Sequence, residues 1–262
     1  MPAQPNQSLI HGIRCLQTVV AAERPIGSRD VARLLADEHT RVSRLLSTLA
    51  AIGLLEQTAQ RKYQPGPGLH VLAAQSLHAS MLLTVALPHL KALLGQGMTV
   101  ALAVLWESQV CFLFHSKPGQ PLEQSIGRHQ FHPAERSSAG LALLAHARRR
   151  PRRKPSAALI ASEPTDPVQH LDAALEGARQ LGYARLRFVE KGILSVGLPL
   201  FGTGPAPLAA LALSGPWKAA ETGRVVALLR ETAAQIQGGL SVAHTRMLPE
   251  MGARKRVGRS PG

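Results

Sequence analysis

Aromatic residues and cysteines are both scarce in this sequence. Aromatic side chains make up 3% of the 262 residues, too few for the stacking platform that binds single-stranded nucleic acid. The two cysteines, Cys15 and Cys111, lie far apart and belong to no CxxC pair. This usage excludes a disulfide framework and fits a protein of the reducing cytoplasm.

Long apolar runs and an N-terminal signal pattern are also absent. The longest apolar stretches, near residues 81–87 and 99–105, are far shorter than the roughly 20 residues of a membrane-spanning helix. We therefore expect a soluble, cytoplasmic protein without a membrane partner. The hydrophobic share of 45% is typical of folded chains, and the length suffices for one large or two ordinary domains.

Sequence motifs for catalysis and for cofactor binding are missing as well. The chain has no GxSxG nucleophile elbow, no phosphate-binding loop and no dinucleotide fingerprint. His129 and His132 have no third ligand at a clear spacing, which favours loop histidines over a metal site. We predict no enzymatic activity, no cofactor and no metal. The stretch SSAG at 137–140 could hold a nucleophile, but a helix cap with a pocket of backbone amides fits it better.

Positive charge exceeds negative charge, with 30 lysines and arginines against 16 acidic residues and a net charge of +14. Such a surplus suggests a nucleic-acid partner, but much of it lies in two short runs, at 148–154 and 254–259. We interpret both runs as solvated segments that add non-specific attraction to phosphate. They do not by themselves locate a DNA-binding site.

The segment 37–49 has the pattern of an amphipathic helix suited to DNA. Its apolar residues recur at helical spacing and form one stripe: Val42, Leu45, Leu46 and Leu49. The opposite face and its flanks carry short hydroxyls and arginines: Thr40, Arg41, Ser43, Arg44, Ser47 and Thr48. Arginine can bind guanine or phosphate, and serine or threonine can bond base edges. An ordinary solvated helix face is the alternative, and the neighbouring elements bear on that choice.

Those neighbouring elements complete a DNA-binding pattern. Helical spacing predicts a first helix over 7–22, which Pro25 ends, and a short second helix follows, with a tight turn at 36–38 before the third helix. After the third helix, 54–58 and 62–64 form two short strands. Three helices and a hairpin predict a winged helix-turn-helix, whose third helix enters the major groove. The hairpin tip would reach phosphate or the minor groove with Arg61 and Lys62.

The stretch PGPG at 65–68 marks a domain boundary. Beyond it, 69–94 is a mainly apolar helical region, in which Pro88 is expected to end or kink the helix. The apolar surface of this region is larger than a bare connector needs. We therefore expect it to pack on another copy of the chain.

From residue 99 onward, short strands alternate with helices. Strands are predicted at 99–105, 110–115, 185–189, 194–201 and 207–214, with a weaker one at 123–126. Helices are predicted from Ser137 or Ser138 through 147, over 171–181, and from 222 to about 247. Antiparallel hairpins combined with helices predict an α+β sheet domain.

Six stretches, in this order and spacing, resemble the IclR-type transcriptional regulators. They are RVSRLLSTLAAIGLLEQ, YQPGPGL, PAERSSAGLALLA, ARQLGYA, EKGILSVGLPLF and LALSGP, and the likeness extends from Ser8 to Leu240. The resemblance implies a winged helix-turn-helix at 1–65, a dimerising linker helix at 66–79, a GAF-like effector-binding domain at 80–247 and a basic tail at 248–262. It also implies homodimers that often pair into homotetramers and bind palindromic double-stranded DNA operators.

The resemblance, with the patterns above, predicts two sets of site residues. The DNA-binding set comprises Arg29, Glu38, His39, Thr40, Arg41, Ser43, Arg44, Arg61 and Lys62. Within it, Arg44 is expected to hold a phosphate with its guanidinium fork. The effector-binding set comprises Ser137, Ser138, Ala139, Gly140, Arg187, Phe188, Ser195, Ala212 and Ser214.

The sequence departs from the family at several positions near the ligand site. The family usually has other residues at Glu135, Leu141, Ser195 and Ala212, namely His, Lys, Cys and Ser. Where carboxylates are common, this chain has Arg187 and Phe188, which makes the site more basic and more apolar. We therefore predict an aromatic or hydrophobic carboxylate ligand. Alternatively, Arg187 points outward on its strand, and Leu186 and Phe188 fill the cavity.

The sequence thus predicts a DNA-binding transcriptional regulator whose operator affinity changes when a small organic acid binds the C-terminal domain. Two alternatives stay open. One is an architectural DNA-binding protein without an effector, in which the pocket is closed and the basic runs dominate. The other is an enzyme that uses the C-terminal cleft, the least favoured because no nucleophile, base or metal set is assembled.

Overall fold

The structure, a computed structural model, describes residues 4–126, 131–147, 171–188, 192–202 and 204–254, with side chains up to residue 243. The chain divides into two compact units, Met1–Ser80 and Met81–Gly262. The predicted basic runs, apart from the backbone of Arg254, and His129 lie outside the described residues. Within the described ranges, no single helix is long and apolar enough to cross a membrane, and only the consecutive helices Pro67–Ser80 and Leu82–Leu93 reach that length as a pair.

The first unit contains four helices and a two-stranded hairpin: α1 (Gln7–Ala21), α2 (Ser28–Leu35), α3 (His39–Ala51), β1 (Leu55–Gln57), β2 (Tyr63–Pro65) and α4 (Pro67–Ser80). The predicted order of three helices and a hairpin is confirmed. The third helix begins at His39, directly after the turn predicted at 36–38. Ala36 has a left-handed backbone with φ 51° and Glu38 an extended one, and neither conformation continues a helix.

The core of this unit joins its first three helices to the hairpin. The buried residues come from each of these elements: Cys15, Leu16, Val19, Val31, Ala32, Val42, Leu46, Leu49, Leu55 and Tyr63. The Ile26 N–H donates to the Tyr63 carbonyl at 2.9 Å, and the Tyr63 N–H donates to the Ile26 carbonyl at 2.8 Å. The hairpin is therefore tied to the connection between α1 and α2.

Helix α4 buries none of its side chains, and 55% of Val71, 51% of Leu72 and 40% of Leu77 are exposed. The helical conformation is interrupted at Met81, whose φ is 52°. The next helix, α5 (Leu82–Leu93), continues through Pro88. Of the two outcomes predicted at Pro88, an end of the helix is therefore wrong. Buried side chains stabilise α5 despite the hydrogen bond that proline removes; they are Leu82, Ala86, Leu90 and Leu93.

The second unit is built on a six-stranded antiparallel sheet in the order β5-β4-β3-β8-β7-β6. Its strands are β3 (Thr99–Trp106), β4 (Gln109–Ser116), β5 (Phe131–Pro133), β6 (Ala184–Phe188), β7 (Ile193–Phe201) and β8 (Pro207–Gly215). Its remaining helices are α6 (Ser138–His146), α7 (Leu171–Leu181) and α8 (Thr222–Arg254). The predicted mixture of α and β structure is confirmed.

One predicted strand of this unit is wrong. The sequence predicts a weak strand at 123–126, but Leu122–Gln124 is a 3₁₀ helix, and only Ile126 bridges to Phe114. The Gln124 N–H donates to the Pro121 carbonyl at 3.2 Å. Such i→i+3 bonds close the backbone into a tight turn, so these N–H and carbonyl groups cannot pair with a neighbouring strand.

Helices cover both faces of the sheet. Helices α5 and α8 pack on one face, the leucine face, against bulky residues that include Leu194, Val196, Leu211 and Leu213. Helices α6 and α7 pack on the other, the alanine face, whose strand residues are mostly small: Ala101, Ala103, Ala184, Ala210 and Ala212. Small side chains let α6 lie close to the strands. Period-two alternation along β7 and β8 separates these two faces.

Candidate nucleic-acid interface and ligand site

Helix α3 exposes polar residues opposite a buried stripe, as predicted. Val42, Leu46 and Leu49 are buried, and Leu45 is half-buried. The outer surface, which we name the α3 polar face, consists of Thr40, Arg41, Ser43, Arg44, Ser47 and Thr48; all are exposed except the half-buried Ser43. Hydroxyl and guanidinium groups thus form one accessible surface along the helix.

Asp37, in the turn before α3, is held by several donors. Its Oδ2 accepts a hydrogen bond from His11 Nδ1 at 2.6 Å, and its Oδ1 accepts from Arg41 Nη1 at 3.1 Å and from the Glu38 N–H at 2.8 Å. The hydrogen bond from the Glu38 N–H lowers the pKa of this carboxyl below its usual range, and His11 and Arg41 lower it further, although burial opposes the shift. No sequence pattern singled out His11, because the contact joins α1 to the distant turn before α3.

The other predicted residues near the start of α3 differ in how the fold uses them. His39 Nε2 lies 3.0 Å from Ser28 Oγ, which links the first turns of α3 and α2. Glu38 is the N-cap residue of α3, and its exposed side chain makes no capping bond. Arg29 is exposed in the first turn of α2. His39 is thus engaged within the unit, whereas Arg29 and Glu38 are accessible.

The hairpin carries its predicted cations, Arg61 and Lys62, exposed at its tip. Thr58 shapes this turn, because its N–H donates to the Lys62 carbonyl at 2.7 Å and its carbonyl accepts from the Arg61 N–H at 2.9 Å. At the base of the hairpin, Tyr63 Oη lies 3.4 Å from Ser47 Oγ on the α3 polar face. The hairpin is therefore anchored beside α3.

In the second unit, three serines form a chain of hydrogen bonds on the alanine face. Ser138 Oγ, in the first turn of α6, lies 2.7 Å from Ser195 Oγ on β7, which lies 2.7 Å from Ser214 Oγ on β8. Ser195 and Ser214 are directly opposite in the strand register. Each hydroxyl has one proton, and the two contacts of this serine chain use two of the three. The third proton is available to another acceptor.

The start of α6 supplies further donors. Ser137 caps the helix, since its Oγ accepts from the Gly140 N–H at 3.3 Å and its carbonyl accepts from the Leu141 N–H at 2.8 Å. The N–H groups of Ser138 and Ala139 have no acceptor among the residues that the structure describes. Unpaired amides at a helix start attract an anion or a carbonyl oxygen. They lie next to the serine chain because Ser138 belongs to both.

Two glycines permit the close approach of α6 to its surroundings. A Cβ at Gly197 of β7 would overlap the Ser138 carbonyl, and a Cβ at Gly140 would overlap the backbone of Ala134. Ala212, directly opposite Gly197, is buried. Most of the predicted ligand-site residues therefore gather around the start of α6: Ser137, Ser138, Ala139, Gly140, Ser195, Ala212 and Ser214.

The strand register corrects the predicted position of Arg187. This exposed residue is directly opposite Leu194, which is buried on the leucine face. Residues directly opposite in an antiparallel pair share a face, so Arg187 lies on the other side of the sheet from Ser195. Phe188, opposite Ile193, lies on the alanine face with 38% of its surface exposed. The register thus agrees with the part of the alternative in which Arg187 points away from the site, whereas a cavity filled by Leu186 and Phe188 stays a prediction.

The described residues offer neither a cluster of metal ligands nor an ionised thiol. Within the described parts of the chain, no three His, Cys, Asp or Glu side chains are grouped to hold a metal ion. Burial, with a smaller effect of Asp37, raises the pKa of the Cys15 thiol to about 11, and burial also raises the pKa of the Cys111 thiol. Both thiols are therefore neutral near pH 7.

Solved structures resemble the chain over most of its length. A candidate ICLR transcriptional regulator from Silicibacter sp. TM1040 is 24% identical, with a TM-score of 0.70, over 89% of this chain and 96% of that one. An IclR homolog from Microbacterium hydrocarbonoxydans, complexed with 4-hydroxybenzoate, is 27% identical, with a TM-score of 0.64, over 90% and 99%. An IclR transcriptional regulator from Alicyclobacillus acidocaldarius is 23% identical, with a TM-score of 0.66, over 90% and 100%.

Comparison with curated proteins gives no match. Residues 74–238, however, match the family model described as Bacterial transcriptional regulator IclR C-terminal. That match spans more than half of the 262 residues. The chain therefore belongs to the IclR family of bacterial transcriptional regulators.

Proposed function

We propose that this regulator binds double-stranded DNA through its first unit, acting as a winged helix-turn-helix, and that a small organic acid in its second unit changes the affinity for DNA. The observation that carries the proposal is the α3 polar face, which stands opposite a buried stripe and beside a basic hairpin tip. A helix of this kind fits the major groove, and a basic tip fits phosphate or the minor groove.

In this proposal the polar side chains divide into two roles. Arg44, Arg29, Arg61 and Lys62 hold backbone phosphates, because each is an exposed cation. Thr40, Arg41 and Ser43 face base edges, and Glu38 accepts from a cytosine amino group. His39 contributes through its contact with Ser28, which fixes the first turn of α3.

We further propose that two copies of the chain act together. Helix α4 leaves Val71, Leu72 and Leu77 exposed and buries no side chain, as a linker helix awaiting a second copy would. A two-fold dimer, or a tetramer made of two dimers, would present paired α3 helices to half-sites about one helical turn or a multiple apart. A palindromic operator follows from that symmetry.

The second unit, in this proposal a GAF-like domain, binds an aromatic or hydrophobic carboxylate. The Ser138 and Ala139 amides and the available proton of the serine chain would hold its carboxylate oxygens. Ala212 and Phe188, on the same face, would contact its apolar part. The 4-hydroxybenzoate bound by the Microbacterium homolog supports this ligand class.

An enzymatic role finds no support in the same site. The hydroxyls of the serine chain bond to one another, and within the described residues none bonds to a histidine or a carboxylate. A serine nucleophile needs such a base to lose its proton. Ligand binding is therefore the better use of these groups.

Selection from a random duplex library with the full chain tests DNA binding. We expect enrichment of a palindrome, with an affinity that falls steeply as salt rises. No enriched sequence, with only salt-sensitive binding to every duplex, would instead favour an architectural DNA-binding protein.

Thermal shift and calorimetry with benzoate, 4-hydroxybenzoate and short keto acids test the ligand site. A bound acid should raise the melting temperature of the chain and change its affinity for the selected duplex. Ser195→Ala should abolish the shift, whereas Arg187→Ala, on the opposite face of the sheet, should retain it. No shift with any acid, or equal loss in both variants, would reject this site.

A further inference from the structure

The cluster around Asp37 contains an arginine that is held at one end and accessible at the other. Asp37 has a side chain only 11% exposed, whereas 54% of the Arg41 side chain is exposed. One guanidinium nitrogen, Nη1, donates to Asp37 Oδ1 at 3.1 Å. Arginine has five N–H donors in a rigid fork, so this contact leaves others for a ligand.

The carboxylate that holds Arg41 is itself fixed by two further donors. His11 on α1 donates to Oδ2 at 2.6 Å, and the Glu38 N–H at the start of α3 donates to Oδ1 at 2.8 Å. Both carboxylate oxygens are therefore engaged. A second ion pair in the same unit, Arg33 with Asp30 on α2, lacks this support, since its side chains are 78% and 52% exposed.

We propose that Asp37 is a positioning residue that aims Arg41 of the α3 polar face and thereby determines part of the sequence specificity of the regulator. The inference rests on the proposed DNA binding of α3. An arginine already held by Asp37 loses less conformational freedom when it meets DNA, so its free donors are presented in one orientation. A guanidinium group held in one orientation can distinguish guanine from other bases, whereas a mobile arginine can bind any nearby phosphate.

The charge of Asp37 makes the proposal separable from simpler roles. Its negative charge lies near a surface that meets phosphate, so its removal alone should raise the affinity for every duplex. A purely structural role would lower the affinity for every duplex, since fewer molecules would be folded. Loss of positioning alone lowers the ratio between affinity for the selected duplex and affinity for a scrambled duplex of equal length.

The test measures that ratio for full-length variants at constant salt. For Asp37→Asn we expect the ratio to fall by about tenfold, the order expected for one lost bidentate base contact. Asp37→Glu, which keeps the negative charge, should have a ratio between those of Asp37→Asn and the wild-type chain. Asp30→Asn, the matched control, removes the same charge from the unsupported pair and should leave the ratio unchanged. A ratio unchanged in Asp37→Asn would overturn the proposal.

A double-mutant cycle tests that Asp37 acts through Arg41. Arg41→Ala should lower the ratio, and Asp37→Asn should have no further effect on it in the Arg41→Ala background. Additive losses would overturn the positioning role. If the wild-type chain itself prefers no duplex, the proposed function fails. If it discriminates and only Arg41→Ala impairs discrimination, DNA binding stands and the role of Asp37 fails.

Discussion

In the first unit the candidate groups stand on the exposed side of α3 and at a hairpin tip, whereas in the second unit they lie beneath the start of α6. The α3 polar face contributes little to the core of the first unit, because α3 packs into that core through Val42, Leu46 and Leu49 on its opposite side. The serine chain, by contrast, is part of the packing between α6 and the sheet. Substitutions should therefore separate binding from stability in the first unit and couple them in the second.

The largest difference is expected at the glycine under α6. Gly197→Ala should lower the free energy of unfolding of the second unit by about 3 kcal/mol or more, because the added Cβ would overlap the Ser138 carbonyl. Gly177→Ala, on α7 with nothing near its added Cβ, should be neutral or stabilise by up to about 1 kcal/mol. Denaturant unfolding measures both, and equal effects would contradict the close approach of α6.

A smaller coupled effect is expected at the middle of the serine chain. Ser195→Ala removes the shared partner of Ser138 and Ser214 and should destabilise the second unit by about 2 kcal/mol. The same variant should lose the thermal shift produced by the carboxylate ligand. Ser214→Ala breaks only one contact and should cost less stability. If Ser195→Ala abolished binding without any loss of stability, the coupling in this unit would be refuted.

On the α3 polar face, binding should change without stability. Arg44→Ala should weaken binding to operator variants by a similar factor, roughly 1 kcal/mol, and reduce the salt slope by about one unit. Its melting temperature should stay that of the wild-type chain. Arg33→Ala, an exposed arginine on α2 outside the proposed contacts, serves as control. Unchanged affinity in Arg44→Ala would remove this face from the interface.

Near neutral pH, the smallest effect concerns the buried thiol of the first unit. The pKa of Cys15 is raised from 9.0 to about 11, so the thiol ionises more readily in the unfolded chain than in the folded one. The contribution of the neutral Cys15 thiol to the free energy of unfolding is fully present below pH 9 and is lost as the pH rises through 11. Unfolding of the first unit should thus depend more steeply on pH in the wild-type chain than in Cys15→Ala. Cys111→Ala, in the other unit, should not alter that slope.

The first unit was the more predictable from sequence because its signals are local. The stripe Val42, Leu46 and Leu49 follows from helical spacing alone, and that spacing also exposes Arg44. The turn predicted at 36–38 is local as well, because the left-handed Ala36 and the extended Glu38 prevent the helix from starting before His39. In the second unit, Pro88 inside α5 shows the converse, because burial on the sheet overrides a local helix breaker.

The sequence alone determined most of the order of elements and the two faces of α3, because each depends on neighbours within a few positions. The meeting of Ser138 with Ser195 and Ser214 was expected only from the family resemblance, since these residues are far apart in the chain. Only the tertiary structure decided that Arg187 lies opposite Leu194 on the leucine face and that His11 meets Asp37. Alternation along a strand predicts that neighbouring residues lie on opposite faces of the sheet. Which face each residue occupies depends on the strands and helices that pack against it. Contacts between distant residues are set by packing of the whole unit, and no local pattern encodes them.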